Sequence, residues 1–223
     1  MKPTTRRRIR FLAAFAAYFT VLWLLWETPI VYPLKVFVVL LHELSHAAAV
    51  LATGGTVERI LLSPMQGGAT YARGGNAFVA LSAGYLGSLA CGLILLGAAR
   101  ARATRVRTAV TALGAIVLAS ALVYVRGWFG FLFCLLFGAG LLWASRRLTP
   151  SGQATLLTTL GLTSALYAVL DIRSDILQRP HLESDAHMLA QMTGVPTVAW
   201  GVLWMAVALI ACGWALRRAW RRA

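Results

Sequence analysis

The placement of charge along this chain limits its fold more than any other feature. Seven predominantly apolar stretches lie at roughly 11–27, 33–53, 76–99, 107–125, 128–145, 154–172 and 196–216, with basic residues gathered at their ends. A helix needs about 20 such residues to cross the hydrocarbon of a bilayer. Backbone in hydrocarbon must satisfy its own hydrogen bonds, so each stretch is predicted to be a helix. Of the 223 residues 59% are hydrophobic and only 13% charged, where a soluble domain carries about a quarter charged. The expectation is an all-α polytopic membrane protein of about seven transmembrane helices, forming a single domain over 1–223.

The formal net charge of +14 would suggest nucleic acid in a soluble protein. Here the arginines cluster at span ends: Arg6–Arg8 with Arg10, Arg100 to Arg107, Arg146–Arg147 and Arg217 to Arg222. Cations there anchor against lipid headgroups, so the bilayer is the expected partner and nucleic acid is not. The N-terminus has the basic-then-apolar pattern of a signal peptide. Its apolar part is long for that role and no small-residue cleavage site follows, so an uncleaved first span is expected. Cys91, Cys134 and Cys212 all lie within apolar runs, without metal-ligand or disulfide spacing, and read as small buried hydrophobes.

Two segments are not spans. Residues 54–75 begin and end with glycine pairs and hold two short strand-like stretches around Pro-Met-Gln-Gly-Gly. They read as a β-hairpin or re-entrant loop, packed against protein or lying at the surface. Residues 171–195 hold all three aspartates of the chain, Asp171, Asp175 and Asp185. Ser184 or Asp185 is a plausible N-cap for a short helix ending at Gly194, after which Pro196 starts the last span.

The chemistry is concentrated in His42-Glu43-Leu44-Ser45-His46. Residues four apart share one helix face, about 5–6 Å between Cβ atoms, so both imidazoles can reach one Zn²⁺. Zinc lowers the pKa of a coordinated water to about 7, and Glu43 stands where a general base is needed. With four His and four Glu in the chain, the pattern arises by chance roughly once in a thousand such sequences. An ionisable group at mid-membrane costs about 2.5–3.5 kcal/mol on insertion scales. Three in one turn need a shared partner, and a dication is one.

A catalytic zinc usually has three protein ligands. Candidates for the third are His181, His187 and the three aspartates. Asp171 directly follows an apolar run at the end of the sixth span, which runs in the same direction as the span bearing the His pair. Matching depth makes Asp171 the first choice, with Asp175 and Asp185 second. Asp175 also reads as an ion-pair partner of Arg173 or Arg179, and Asp185 as a helix cap.

These residues resemble the site-2 protease group of intramembrane zinc metalloproteases, most closely its M50B-like branch. The resemblance rests on the His-Glu-Leu-Ser-His turn, the Gly-bounded segment with Pro64–Gly68, and Asp171 with Asp175 ending a late span. Ser184–Ala186, Thr193–Pro196 and Trp200–Trp204 complete it. It implies His42 and His46 as zinc ligands, Glu43 as general base, a downstream Asp as third ligand, and a membrane-protein substrate. The 54–75 segment, with Gly67 and Gly68, would hold that substrate extended. The compartment expected is a bacterial inner or plasma membrane. Better-known site-2 proteases carry the third ligand in an Asn-Pro-x-x-x-x-Asp-Gly or Leu-Asp-Gly stretch, and this chain has neither. Three other readings stay open on the sequence: a zinc protein without turnover, a transporter or proton relay, and hydrolysis of a non-peptide substrate such as a lipid.

Overall fold

The computed structural model describes residues 9, 13, 16–22, 24–25, 28–177 and 183–222. Six helices long and apolar enough to cross a membrane lie among them. These are α1 (Tyr32–Ala52), α2 (Ala77–Ala98), α3 (Ala103–Val123), α4 (Trp128–Arg147), α5 (Pro150–Asp171) and, after a short α6 (Asp185–Thr193), α7 (Thr197–Arg222). Each long helix falls on an expected stretch. The expected first span, 11–27, lies largely outside the described residues, although 16–22 are helical. The Tyr18 hydroxyl lies 3.1 Å from the Thr159 carbonyl and 2.7 Å from the Thr163 hydroxyl, which seats that turn on α5.

The helices pack where small residues let backbones approach. A Cβ on Gly92 of α2 would lie 2.8 Å from the Gly161 carbonyl oxygen of α5, and one on Gly161 would lie 2.7 Å from that of Gly92. Ser164 donates to the Ser88 carbonyl at 2.7 Å beside this crossing. Gly114 of α3 and Gly138 of α4 make a second close approach. Lipid tails are as apolar as leucine, so close van der Waals contact and interhelical hydrogen bonds hold such helices together.

Between α1 and α2 the chain forms the expected hairpin, β1 (Thr56–Leu62) and β2 (Gly68–Arg73). The strands pair antiparallel from Thr56↔Arg73 to Leu62↔Gly68, with one register shift between Val57 and Arg59. A third strand was not expected. Val125–Arg126 (β3), in the break between α3 and α4, pairs parallel with Ile60 and Leu61 of β1. Two residues are too few to show a strand period in the sequence. The sheet order is β2-β1-β3, so β2 is an edge strand.

The hairpin lies along α1. Gly55 N–H donates to the Val50 carbonyl at 2.9 Å near the C-terminal end of the helix. The Tyr32 hydroxyl, at the helix start, donates to the Pro64 carbonyl at 2.8 Å in the hairpin turn. Ile60 and Leu62 join the core around Phe37 and Leu40. On the exposed side Glu58 pairs with Arg73, and the Arg59 guanidinium lies 4.1 Å from the centre of the Tyr71 ring.

If the glycine crossing holds α2 to α5, Gly161→Leu will lower the detergent melting temperature, with an overpacking cost of about 1–3 kcal/mol. Gly140→Leu is the control, since no atom lies within 4 Å of its built Cβ, and it should leave the melting temperature unchanged.

Candidate metal centre

The apolar sequence on either side of residues 42–46 keeps that turn helical, and α1 runs through it without a break. His42, Glu43 and His46 therefore project from adjacent positions of one turn. Glu43 is 4% exposed. Its neighbours come from three other parts of the chain.

The first is α2. The Ala80 carbonyl lies 2.7 Å from His46 Nδ1. A carbonyl only accepts, so Nδ1 carries the proton and donates. A backbone partner of this kind fixes the tautomer and orientation of a metal-ligating histidine. One turn further on, a Cβ at Gly84 would stand 2.6 Å from His46 Nε2 and closer still to His42 Nε2. Glycine keeps that volume open.

The second is the hairpin. The Thr70 hydroxyl of β2 faces Glu43, 2.6 Å from Oε2 and 3.1 Å from the backbone carbonyl oxygen. Two residues earlier, a Cβ at Gly68 would lie 2.6 Å from Glu43 Oε1. Only a residue without a side chain lets the strand come this close.

The third is α6. Ser184 caps it by accepting from the His187 N–H at 3.2 Å, and Gly194, at φ 75°, ends it in the left-handed conformation. Asp185 is the first helical residue and not the cap, which leaves its carboxylate free to point inward. Ala186 and Leu189 of the same helix are buried with Ile172, Ile176 and Trp204, and this packing carries Asp185 into the bundle.

Asp185 Oδ2 lies 3.1 Å from His42 Nε2 and 3.2 Å from His46 Nε2. Both spacings are within hydrogen-bond range, yet neither is aligned as one, and the buried oxygen has no hydrogen-bond partner among the described residues. With Nδ1 of His46 protonated, Nε2 of the neutral ring is an acceptor facing a second acceptor. A shared cation resolves that opposition. Two ligands about 2.05 Å from a tetrahedral zinc stand about 3.3 Å apart, close to the spacings found. Burial alone would raise the Asp185 carboxyl; with the imidazoles protonated, their donated hydrogen bonds and charge outweigh it and hold the group below the usual carboxylate range, and with the rings neutral a cation would take that place.

Among the described residues, His42, His46 and Asp185 form the one group of three with metal-ligand atoms in mutual reach, within 4.8 Å. Asp171, which the depth argument favours, ends α5 and is not in the group. His187 is also outside it, its Nε2 lying 3.1 Å from the Gln191 amide. His181 and the side chain of Asp175 lie outside the described part of the chain. Gly67 sits exposed in the hairpin turn, where its carbonyl accepts from Ser63 N–H at 2.8 Å. Thr70, Ala80 and Gly84 carry no sequence signal linking them to the site; only the tertiary fold brings them there.

A family model described as Peptidase M50B-like matches residues 15–215. The chain belongs to that family. No curated protein and no solved structure gives a significant match. As an M50B-like peptidase with long apolar helices, the chain is a multi-pass integral membrane protein.

If the three converging donors of this M50B-like peptidase hold zinc, His42→Ala and Asp185→Asn will each abolish near-stoichiometric zinc in detergent-purified protein, measured by elemental analysis. Asp171→Asn will retain it. Zinc lost with Asp171→Asn and kept with Asp185→Asn would reverse the assignment.

Proposed function

We propose that this M50B-like peptidase is a zinc metalloprotease that hydrolyses a peptide bond in or beside a transmembrane segment of a substrate protein. The observation that carries this reading is Glu43, a buried carboxylate set between two imidazoles in sequence and covered by an edge strand. Purely structural packing gives no reason to bury that group in an apolar helix.

Zinc held by His42, His46 and Asp185 would polarise the scissile carbonyl and make a water acidic at neutral pH. Thr70 holds Oε2 of Glu43, so the carboxylate cannot swing. Oε1 is then the oxygen that takes the proton of the attacking water. The water oxygen bonds to the carbonyl carbon, the C–N bond breaks, and Glu43 returns its proton to the leaving amine. The charge on the carboxylate is unchanged over the cycle. Its burial behind β2 keeps bulk water from competing for the proton.

A helical substrate offers no free amide, so it must be unwound and held extended. Among the described residues β2 has one strand partner, β1, and it is also the strand that touches Glu43. A substrate segment added along its free edge would gain main-chain hydrogen bonds next to the base. Gly67 and Gly68 are the proposed substrate-binding positions: a side chain at Gly68 would stand against Glu43, and Gly67 beside it borders open space. A groove of about 420 Å³ opens beside them, with Leu62, Pro64, Ala69, Trp128 and Phe129 among its walls. Its apolar character suits the side chains of a membrane segment. A bacterial inner or plasma membrane is the proposed location.

The test is cleavage of a panel of single-span reporter proteins, co-reconstituted with the enzyme in liposomes and read by gel shift. Wild type should cut at least one, and Glu43→Gln should lower that rate by about 10²–10⁴-fold with zinc content unchanged. Gly68→Ala should likewise keep zinc and lose most of the rate. A zinc-replete wild type that cuts nothing, or a Glu43→Gln variant as fast as wild type, would sink the proposal.

A further inference from the structure

The two histidines of the centre are oriented by different means. His46 is held through Nδ1 by the Ala80 carbonyl at 2.7 Å. Among the described residues no hydrogen bond of that kind holds the second nitrogen of His42. The terminal torsion of a histidine is broad and roughly two-fold, so without a constraint the His42 ring could turn away from the other ligands.

Tyr85 supplies a constraint of another kind. Its ring meets that of His42 at 84°, with centroids 4.7 Å apart. This is the edge-to-face arrangement that aromatic pairs prefer. Tyr85 is itself held from behind by Trp204 of α7, with centroids 5.5 Å apart and 36° between planes. Trp204 is 2% exposed, although α7 is the least buried of the six long helices. Trp200, one turn earlier, continues the stack to Phe78 at the start of α2, at centroid distances of 6.4 and 5.6 Å.

Trp204 also belongs to the apolar cluster that contains Ala186 and Leu189 of α6, the helix bearing Asp185. One buried pair thus backs His42 on one side and seats the Asp185 helix on the other. We propose that Tyr85, braced by Trp204, is a positioning residue that fixes the His42 ring for metal binding. The contact that carries the proposal is the one between the two rings. The inference rests on the reading of His42, His46 and Asp185 as a metal centre.

The test uses full-length protein in detergent, titrated with zinc against a competing chelator, and with Co²⁺ as a spectroscopic probe of ligand geometry. Tyr85→Phe keeps the ring and should match wild type in zinc affinity and Co²⁺ spectrum. Tyr85→Met fills much of the same volume without a ring. It should weaken zinc about 10–100-fold, the usual cost of removing an outer-shell partner, and alter the Co²⁺ bands. A folded Tyr85→Met protein with wild-type affinity and spectrum overturns the inference. So does a Tyr85→Phe variant as weak as Tyr85→Met. Where Tyr85→Met does not fold, the milder Trp204→Phe gives the same readout: shifted Co²⁺ bands support the brace and unchanged bands refute it. Wild type that binds neither metal would instead overturn the metal centre itself.

Discussion

Three polar side chains in one turn of an apolar helix are the constraint around which this protein is built. In hydrocarbon, a group that cannot find a partner within the protein costs several kcal/mol. The turn at His42, Glu43 and His46 therefore draws in elements from three directions. Helix α2 brings the Ala80 carbonyl, strand β2 brings the Thr70 hydroxyl, and α6 brings the Asp185 carboxylate. The first two arrive through close approaches that a larger side chain would block, as Gly84 and Gly68 show.

The sheet solves a second form of the same problem. A hairpin packed along a helix leaves strand edges whose backbone groups need partners. β1 is paired on both sides, by β2 and β3, and the Tyr32 hydroxyl takes the Pro64 carbonyl at the turn. Among the described residues two strands keep an edge that no other strand pairs, the two-residue β3 and β2, and the longer of these is β2. That strand carries the contacts to Glu43. The open backbone edge and the buried carboxylate thus belong to one place in the fold, which is a poor solution for stability alone and a good one for handling an extended chain.

Much of this was legible in the sequence because the governing periods are long or the spacing is rigid. Runs of about 20 apolar residues mark the six long helices. The four-residue spacing of His42 and His46 marks the face they share. Glycine pairs bound the hairpin, and Ser184 with Gly194 brackets α6. Which carboxylate the fold brings beside the His pair was less legible. Matching depth to the end of an apolar run selects Asp171, on the assumption that the acidic stretch beyond it stays at the surface. Instead the chain continues past α5 in π-helical turns, Ile172–Leu177, with Ile172 and Ile176 fully buried, and it re-enters the bundle on Ala186 and Leu189. Apolar residues spaced through that acidic stretch were the available sign. Thr70 and Tyr85 could not be read in advance, because their roles come from contacts between elements far apart in sequence.

The place of Asp185, the proposed third ligand, on α6 has a consequence that a ligand on a spanning helix would not have. Nine residues are too few to hold a helix in isolation, so α6 is ordered by what it docks against. The apolar contribution comes from Ala186 and Leu189 in the cluster with Trp204. The polar contribution comes from Asp185, whose charge is buried at 8% exposure between two imidazoles. A cation bound to these donors and the docking of α6 are therefore linked equilibria, each strengthening the other. His42 and His46 sit on a long buried helix that stays in place whether or not a metal is bound. Asp185, the proposed third ligand, sits on a helix of only nine residues. With the proposed ligands, an M50B-like peptidase arranged this way would complete a metal centre only when α6 is seated, and the aromatic pair Tyr85–Trp204 lies between His42 and the cluster that seats α6.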